Sequence, residues 1–253
     1  MTKVSDITEY LNSLFPPSLA EDFDNVGLMT GNSLHSVKRV MVMLDADSDT
    51  IQEAVRHNAD MIVTHHPLIF SPLKNVTDKN ITTLIKNDIA LFSAHTNLDS
   101  GPGGVNDNLA KLLKLTDTER VTMPGINLTG VTGSVALCTL GEFINTVKSV
   151  LAIDNIRYTG NLSDKISRVG VIGGSAAEFA DEMKALGCDA FLTADLKYHQ
   201  AQHAEEIGLN IVDAGHFETE NHICTVLCGL LQKQFPDIDV LVSQRKTSYI
   251  KFG

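Results

Sequence analysis

Apolar residues fall along this chain in two alternating rhythms. Residues 37–44, 59–64 and 89–93 are near-continuous apolar runs, the pattern of strands buried on both faces. Between them, residues 48–58 carry Ile51, Ala54 and Val55 behind an acidic first turn, and residues 78–88 repeat the pattern, so both predict helices. Residues 5–14 predict a short amphipathic helix with Ile7, Leu11 and Leu14 on one stripe, stopped by Pro16-Pro17. The stretch after it turns at Asp24-Asn25. The first βαβ unit, 37–64, should cross over right-handed. A glycine-rich loop over 101–107 leads to a helix over 106–114. Residues 116–132 are polar, with Pro124 and two glycines, and read as a linker to a second lobe. That lobe predicts strands over 167–172, 189–193 and 209–212, with helices over 175–186 and 195–207 between them. A last helix over 218–233 and a terminal segment over 239–252 close the chain. The expected fold class is therefore α/β, two-lobed, with mostly parallel sheets flanked by helices. Lobe 1 would span 1–120, with 215–253 packing back on it, and lobe 2 would span 121–214.

Composition narrows the function. The chain has 253 residues, 43% of them hydrophobic, enough for one large or two modest cores. Lys and Arg total 20 against 31 Asp and Glu, a formal net charge of -11, which argues against nucleic-acid binding through a general basic surface. A local pocket for a phosphorylated small molecule remains open. The four cysteines form no CxxC, and Cys224 and Cys228 share a helix face, as buried thiols in a reducing compartment would. The first residues lack the apolar core of a signal peptide, and no stretch approaches the ~20 apolar residues of a membrane span. A cytoplasmic protein is expected.

Candidate chemistry gathers at the ends of predicted strands, where open parallel sheets build their sites. His65 and His66 end the strand at 59–64, with Pro67 behind them. His95 and Asp99 follow the strand at 89–93, and His216 and Glu220 follow the strand at 209–212. Neighbours on a regular strand point to opposite faces, so His65 and His66 can serve one site only if the backbone turns between them. His216 and Glu220, four apart at a helix start, share a face. Imidazoles and carboxylates in that number point to a divalent metal centre, of one ion or a pair, and nitrogen and oxygen donors without thiolate suit Fe, Mn, Zn or Co. His57, His199, His203 and His222 read as ordinary surface or core imidazoles. Asp45, after the first strand, reads first as a cap of the next helix and second as a group orienting a ligand imidazole. Gly173-Gly174-Ser175 reads first as a tight turn with a Ser cap and second as a phosphate receiver. No Ser or Cys sits in a nucleophile motif.

With these residues in place, the chain resembles the NIF-three-like family, whose bacterial members are labelled GTP cyclohydrolase 1 type 2 homologues. The resemblance runs nearly end to end through Asp24-Asn25-Val26-Gly27-Leu28, His65-His66-Pro67, His95-Thr96-Asn97-Leu98-Asp99 and Gly215-His216 with Thr219-Glu220. It implies the family's two-lobed fold and a dinuclear metal site between the lobes, with ligands falling on His65, His66, Asp99, His216 and Glu220. It implies a homohexameric ring, and it places His95 close to the metals. Ala194 stands where the family usually has glycine, before Asp195 and His199.

The expected activity is metal-dependent hydrolysis of a nucleotide or phosphoester by a metal-activated water, with His95 as general acid or base. The cofactors would be two divalent ions per chain. The partners would be a small-molecule substrate and further copies of the chain, with neither membrane nor nucleic acid. The alternative is a metal-binding or adaptor protein, a ring scaffold without turnover.

Overall fold

A computed structural model describes residues 1–245 and 248–251. The end of the expected terminal segment, at 246–247 and 252, lies outside the described residues. The chain divides into two compact units. One comprises residues 1–102 and 223–246, the other 103–222 and 247–253.

The first unit opens with helix α1 (Val4–Leu14), which buries Val4, Ile7 and Leu11. It continues through β1 (Gly27–Thr30), β2 (Arg39–Met43), α2 (Ser48–Arg56), β3 (Met61–Thr64), α3 (Lys79–Lys86), β4 (Ala90–Ser93) and the short α4 (Thr96–Ser100). Both longer helices start where a side chain can meet free amides. Asp47 accepts from the amides of Asp49 and Thr50, and Asp78 from those of Asn80 and Ile81. Asp47, not Asp45, therefore caps α2.

The second unit holds α5 (Val105–Leu112), β5 (Thr116–Thr122), β6 (Thr129–Thr139), α6 (Leu140–Leu151), β7 (Arg157–Tyr158), β8 (Lys165–Ser175), α7 (Ala180–Ala185), β9 (Ala190–Ala194), α8 (Tyr198–Ile207), β10 (Asn210–Asp213) and α9 (His216–Glu220). The chain then returns through α10 (His222–Gln234) to the first unit and its last strand, β11 (Asp239–Val242).

The first sheet runs β1-β4-β3-β2-β11, parallel except for β1 against β4. Met41, Met43, Ile62 and Leu91 from its central strands pack on Ile51 and Ala54 of α2 and Leu84 of α3. The second sheet runs β5-β6-β8-β9-β10-β7, with a parallel centre, β8-β9-β10, and antiparallel strands at both edges. Its two faces serve two cores. Val169, Val171, Ala190, Leu192 and Val212 face Leu109 of α5 and Phe143 and Val147 of α6. Ile172, Phe191 and Ile211 face Met183 of α7 and Ala204 of α8. This alternation is the period-two geometry of a strand with helices on both sides.

The polar segment 116–132 is a hairpin rather than a linker. β5 is an edge strand, exposed along nearly its whole length, so it carries threonines and charges instead of an apolar run. Cys188 and Cys224 are buried and Cys138 and Cys228 half-buried, and burial pushes the Cys188 thiol up to about 11. No helix among the described residues is long and apolar enough to cross a membrane.

Beyond β11 the chain is tied to α2 by one buried carboxylate. Glu53 accepts from Ser243 Oγ at 2.6 Å and from the Gln244 amide at 2.8 Å. Glu53→Ala should cost about 1–3 kcal/mol, chiefly because it strands the buried Ser243 hydroxyl. Urea denaturation checks this, and an unchanged midpoint would refute it.

Candidate metal centre

In the first unit, the backbone bends at His65 and His66 directly beyond β3, which lets adjacent residues face the same way. Their ring centroids lie 4.9 Å apart at an interplanar angle of 35°. The His95 ring, just beyond β4, lies 5.3 Å from that of His65 and 5.6 Å from that of His66.

Each of these rings is held at Nδ1. His65 Nδ1 lies 2.9 Å from the Ala94 carbonyl oxygen, and that oxygen has no proton to give, so Nδ1 carries the proton. His66 Nδ1 lies 2.7 Å from Asp45 Oδ1, and His95 Nδ1 lies 2.9 Å from Asp24 Oδ1. With carbonyl or carboxylate on Nδ1, Nε2 is the nitrogen that carries the lone pair of each neutral ring. Asp99 on α4 brings Oδ1 to 3.4 Å from His65 Nε2. Asn97 braces this corner, accepting from the His95 amide at 2.9 Å and donating to the Phe15 carbonyl at 2.7 Å.

Asp24 is the most constrained carboxylate here. Its side chain is wholly buried, and its other oxygen accepts from the Thr96 amide and hydroxyl. Burial alone would push its carboxyl up, but the hydrogen bonds from His95 and Thr96 together outweigh it and hold the group at about 2.

In the second unit, Gly215 adopts φ +89° between β10 and α9 and delivers His216 to the helix start. His216 Nδ1 lies 2.7 Å from Asp195 Oδ2, and its Nε2 lies 3.2 Å from Glu220 Oε2, one turn along the helix. Glu220 is buried. A glycine makes room for it. A Cβ on Gly174, whose φ is +66°, would sit 2.2 Å from Glu220 Oε1 and 3.2 Å from His216 Nε2.

The same turn settles the phosphate reading of Gly173-Gly174-Ser175. The Gly173 amide donates to Asn106 Oδ1 at 2.8 Å and the Gly174 amide to Thr219 Oγ1 at 3.0 Å, so both amides are taken. β8 also runs through Ser175, so that residue caps no helix.

Each unit thus assembles its own share of the expected donors. His65, His66, His95 and Asp99 lie together in the first, and His216 and Glu220 in the second. Asp45 orients His66, the second of its two sequence readings. The absence of glycine at 194 is explained locally, because the residue with positive φ is Asp195, at +54°, while Ala194 is an ordinary buried strand residue. His199 is exposed on α8. His203 pairs with Asp181 at 2.9 Å, and His222 meets the Val105 carbonyl at 3.1 Å, so both have structural partners. The part played by Asp24 was not legible, because Asp-Asn in a polar stretch reads as a turn.

The donor set fits divalent ions: neutral imidazole nitrogens held in one tautomer, with a carboxylate within 3.2–3.4 Å of a ring nitrogen in each unit.

A sequence-family model described as Duf34/NIF3 (NGG1p interacting factor 3) matches residues 2–248. A "GTP cyclohydrolase 1 type 2 homolog" of Clostridium perfringens is 34% identical, over 99% of each chain. One of Clostridium acetobutylicum, under the same name, is 36% identical over 99% of this chain and 98% of its own. A crystal structure of a Bacillus cereus protein related to NIF3 superposes with a TM-score of 0.92 at 25% identity, over 100% of this chain and 99% of that one.

Two predictions follow from the geometry. Gly174→Ala should displace the Glu220 carboxylate and weaken divalent-metal retention roughly 10–100-fold. Fold stability should fall by only about 1 kcal/mol from the left-handed backbone. Elemental analysis beside a denaturation curve separates the two effects. Asp24→Asn should destabilise the protein at neutral pH. A carboxyl held below its ordinary 3.8 contributes stability above that value and loses it as pH falls towards about 2. The gap between variant and wild type should therefore close across that window, and a gap independent of pH would count against the Asp24 hydrogen bonds.

Proposed function

The chain belongs to the Duf34/NIF3 family, and from that premise we propose that it is a dinuclear divalent-metal-dependent hydrolase of a nucleotide or phosphoester. The observation that carries this reading is the acceptor on Nδ1 of His65, His66 and His216, which makes Nε2 the donor atom each would offer a metal. In this reading His65, His66, Asp99, His216 and Glu220 hold two ions, and the all-nitrogen-and-oxygen set suits Fe, Zn, Mn or Co. When bound, such ions supply an acidified water and polarise the bond to be cleaved.

The chain's own residues supply the rest. His95 has Nδ1 on Asp24, whose carboxylate stays ionised across the working range. That carboxylate favours a proton on Nδ1, so Nε2 can take a proton from an attacking water or return one to a leaving group. The relatives' names, GTP cyclohydrolase 1 type 2 homolog, make purine nucleotides the first substrates to try. The reading also includes the homohexameric ring that the resemblance implies.

The test is elemental analysis of the purified protein with a panel of nucleotides and phosphoesters. About two ions per chain with turnover of one substrate class is expected. His95→Ala should keep its metal and lose roughly 10²–10⁴-fold in turnover. Glu220→Ala should lose metal and turnover together. Activity surviving without metal would overturn the hydrolase, and full metal loading without turnover across the panel would favour a ring scaffold that binds ions.

A further inference from the structure

His216 is held by Asp195, and Asp195 is itself held in an uncommon way. It stands past the end of β9 with φ +54°, a backbone region that few side chains other than Asn and Asp tolerate. The residue that secures this loop is Asp213, at the end of the neighbouring parallel strand β10, opposite Thr193. Asp213 is buried. Its Oδ2 accepts from the amide of Leu196, directly after Asp195, at 3.0 Å. Its Oδ1 accepts from the amide of Gly215, directly before His216, at 3.1 Å. Arg157, from edge strand β7, forms an ion pair with the same carboxylate. One buried side chain thus grips the backbone beside both members of the Asp195–His216 pair.

We propose that Asp195 and Asp213 are positioning residues for His216: Asp195 fixes its proton on Nδ1 and its ring orientation, and Asp213 sets the spacing between the two by holding Leu196 and Gly215. The inference rests on His216 being a metal ligand, as proposed above. Asp195 acts on the imidazole directly. Asp213 touches neither His216 nor its ligand and acts only through the two loops. The other half of the ligand set differs. Asp45 holds His66 at the same 2.7 Å but from an ordinary backbone conformation, with its own carbonyl accepting from the Thr50 hydroxyl at 2.8 Å.

Asp195→Asn isolates the effect, because Asn keeps the side-chain volume and tolerates the same backbone while giving up the charge. Metal-free protein is titrated with Zn²⁺ against a chromophoric chelator, and separately with Co²⁺ to read its ligand-field spectrum. The expected result is a roughly 10–100-fold weaker affinity for one Zn²⁺ per chain and an altered Co²⁺ spectrum. The melting temperature of the metal-free variant should stay within about 2 °C of wild type, as for a half-exposed polar substitution.

Asp213→Asn should also weaken Zn²⁺ binding in the wild-type background, and much less in the Asp195→Asn background, since it acts through Asp195. Additive losses would overturn the part assigned to Asp213. Wild-type affinity in Asp195→Asn, or a fall in affinity matched by a fall in metal-free melting temperature, would overturn the whole inference. A wild-type protein that takes up no Zn²⁺ or Co²⁺ would instead sink the metal reading beneath it.

Discussion

The site depends on one kind of interaction, a hydrogen bond that removes a histidine's freedom at Nδ1. A free imidazole chooses between two tautomers and many orientations. The Ala94 carbonyl and the carboxylates of Asp45, Asp24 and Asp195 each take one nitrogen and so decide which of the two keeps the lone pair. The acceptors are within reach because parallel strands end level with one another. Met43 lies opposite Thr64, and Thr64 opposite Ser93. Counting onward past the ladder puts Asp45 beside His66 and Ala94 beside His65. A slip of one residue would turn these groups to the opposite face, so the apolar packing that pins the register also pins the chemistry.

Space is the second constraint. A buried carboxylate such as Glu220 needs partners, and it also needs a wall that leaves it room. Gly174 is that wall. Its amide and carbonyl are bound to Thr219 and Thr193, so the backbone cannot retreat, and any side chain there must displace Glu220 instead. Asn106 extends the brace, accepting from the Gly173 amide and donating to the Thr129 carbonyl. The edge hairpin is thereby tied to the turn that makes room for Glu220 beside His216.

Much of this was legible in the sequence. Continuous apolar runs marked the buried strands β2, β3, β4, β9 and β10, because burial on both faces leaves little choice of residue. The candidate donors stood out because they sit directly beyond those runs. What escaped was whatever lies at an edge or acts at a distance. β5 has no apolar face to show, and β7 is two residues long. α6 carried a readable signal in Thr139 and Glu142, a capping box in which each side chain meets the other's amide, but it lies behind the segment read as a linker. Asp24 and Asp213 escaped for a different reason. Each is a lone acidic residue in a turn or at a strand end, and its importance lies in which backbone amides come within 3.1 Å of it, a property of the folded chain alone.

The two histidines held by aspartates 2.7 Å away show how the same chemical result can rest on different foundations. Asp45 and His66 come from adjacent strands of one sheet, and the ladder itself sets their spacing. Asp195 and His216 also follow adjacent strands, but each enters its loop through a residue with positive φ, Asp195 itself and Gly215. The ladder stops before it can hold them, so their spacing is set by side-chain hydrogen bonds to the loops. Strand register is a collective property, secured by many apolar contacts at once, and single substitutions seldom shift it. A spacing set by one buried carboxylate has no such redundancy. For that physical reason the second unit's half of the candidate ligand set is the half where one substitution away from His216 and Glu220 can reach them.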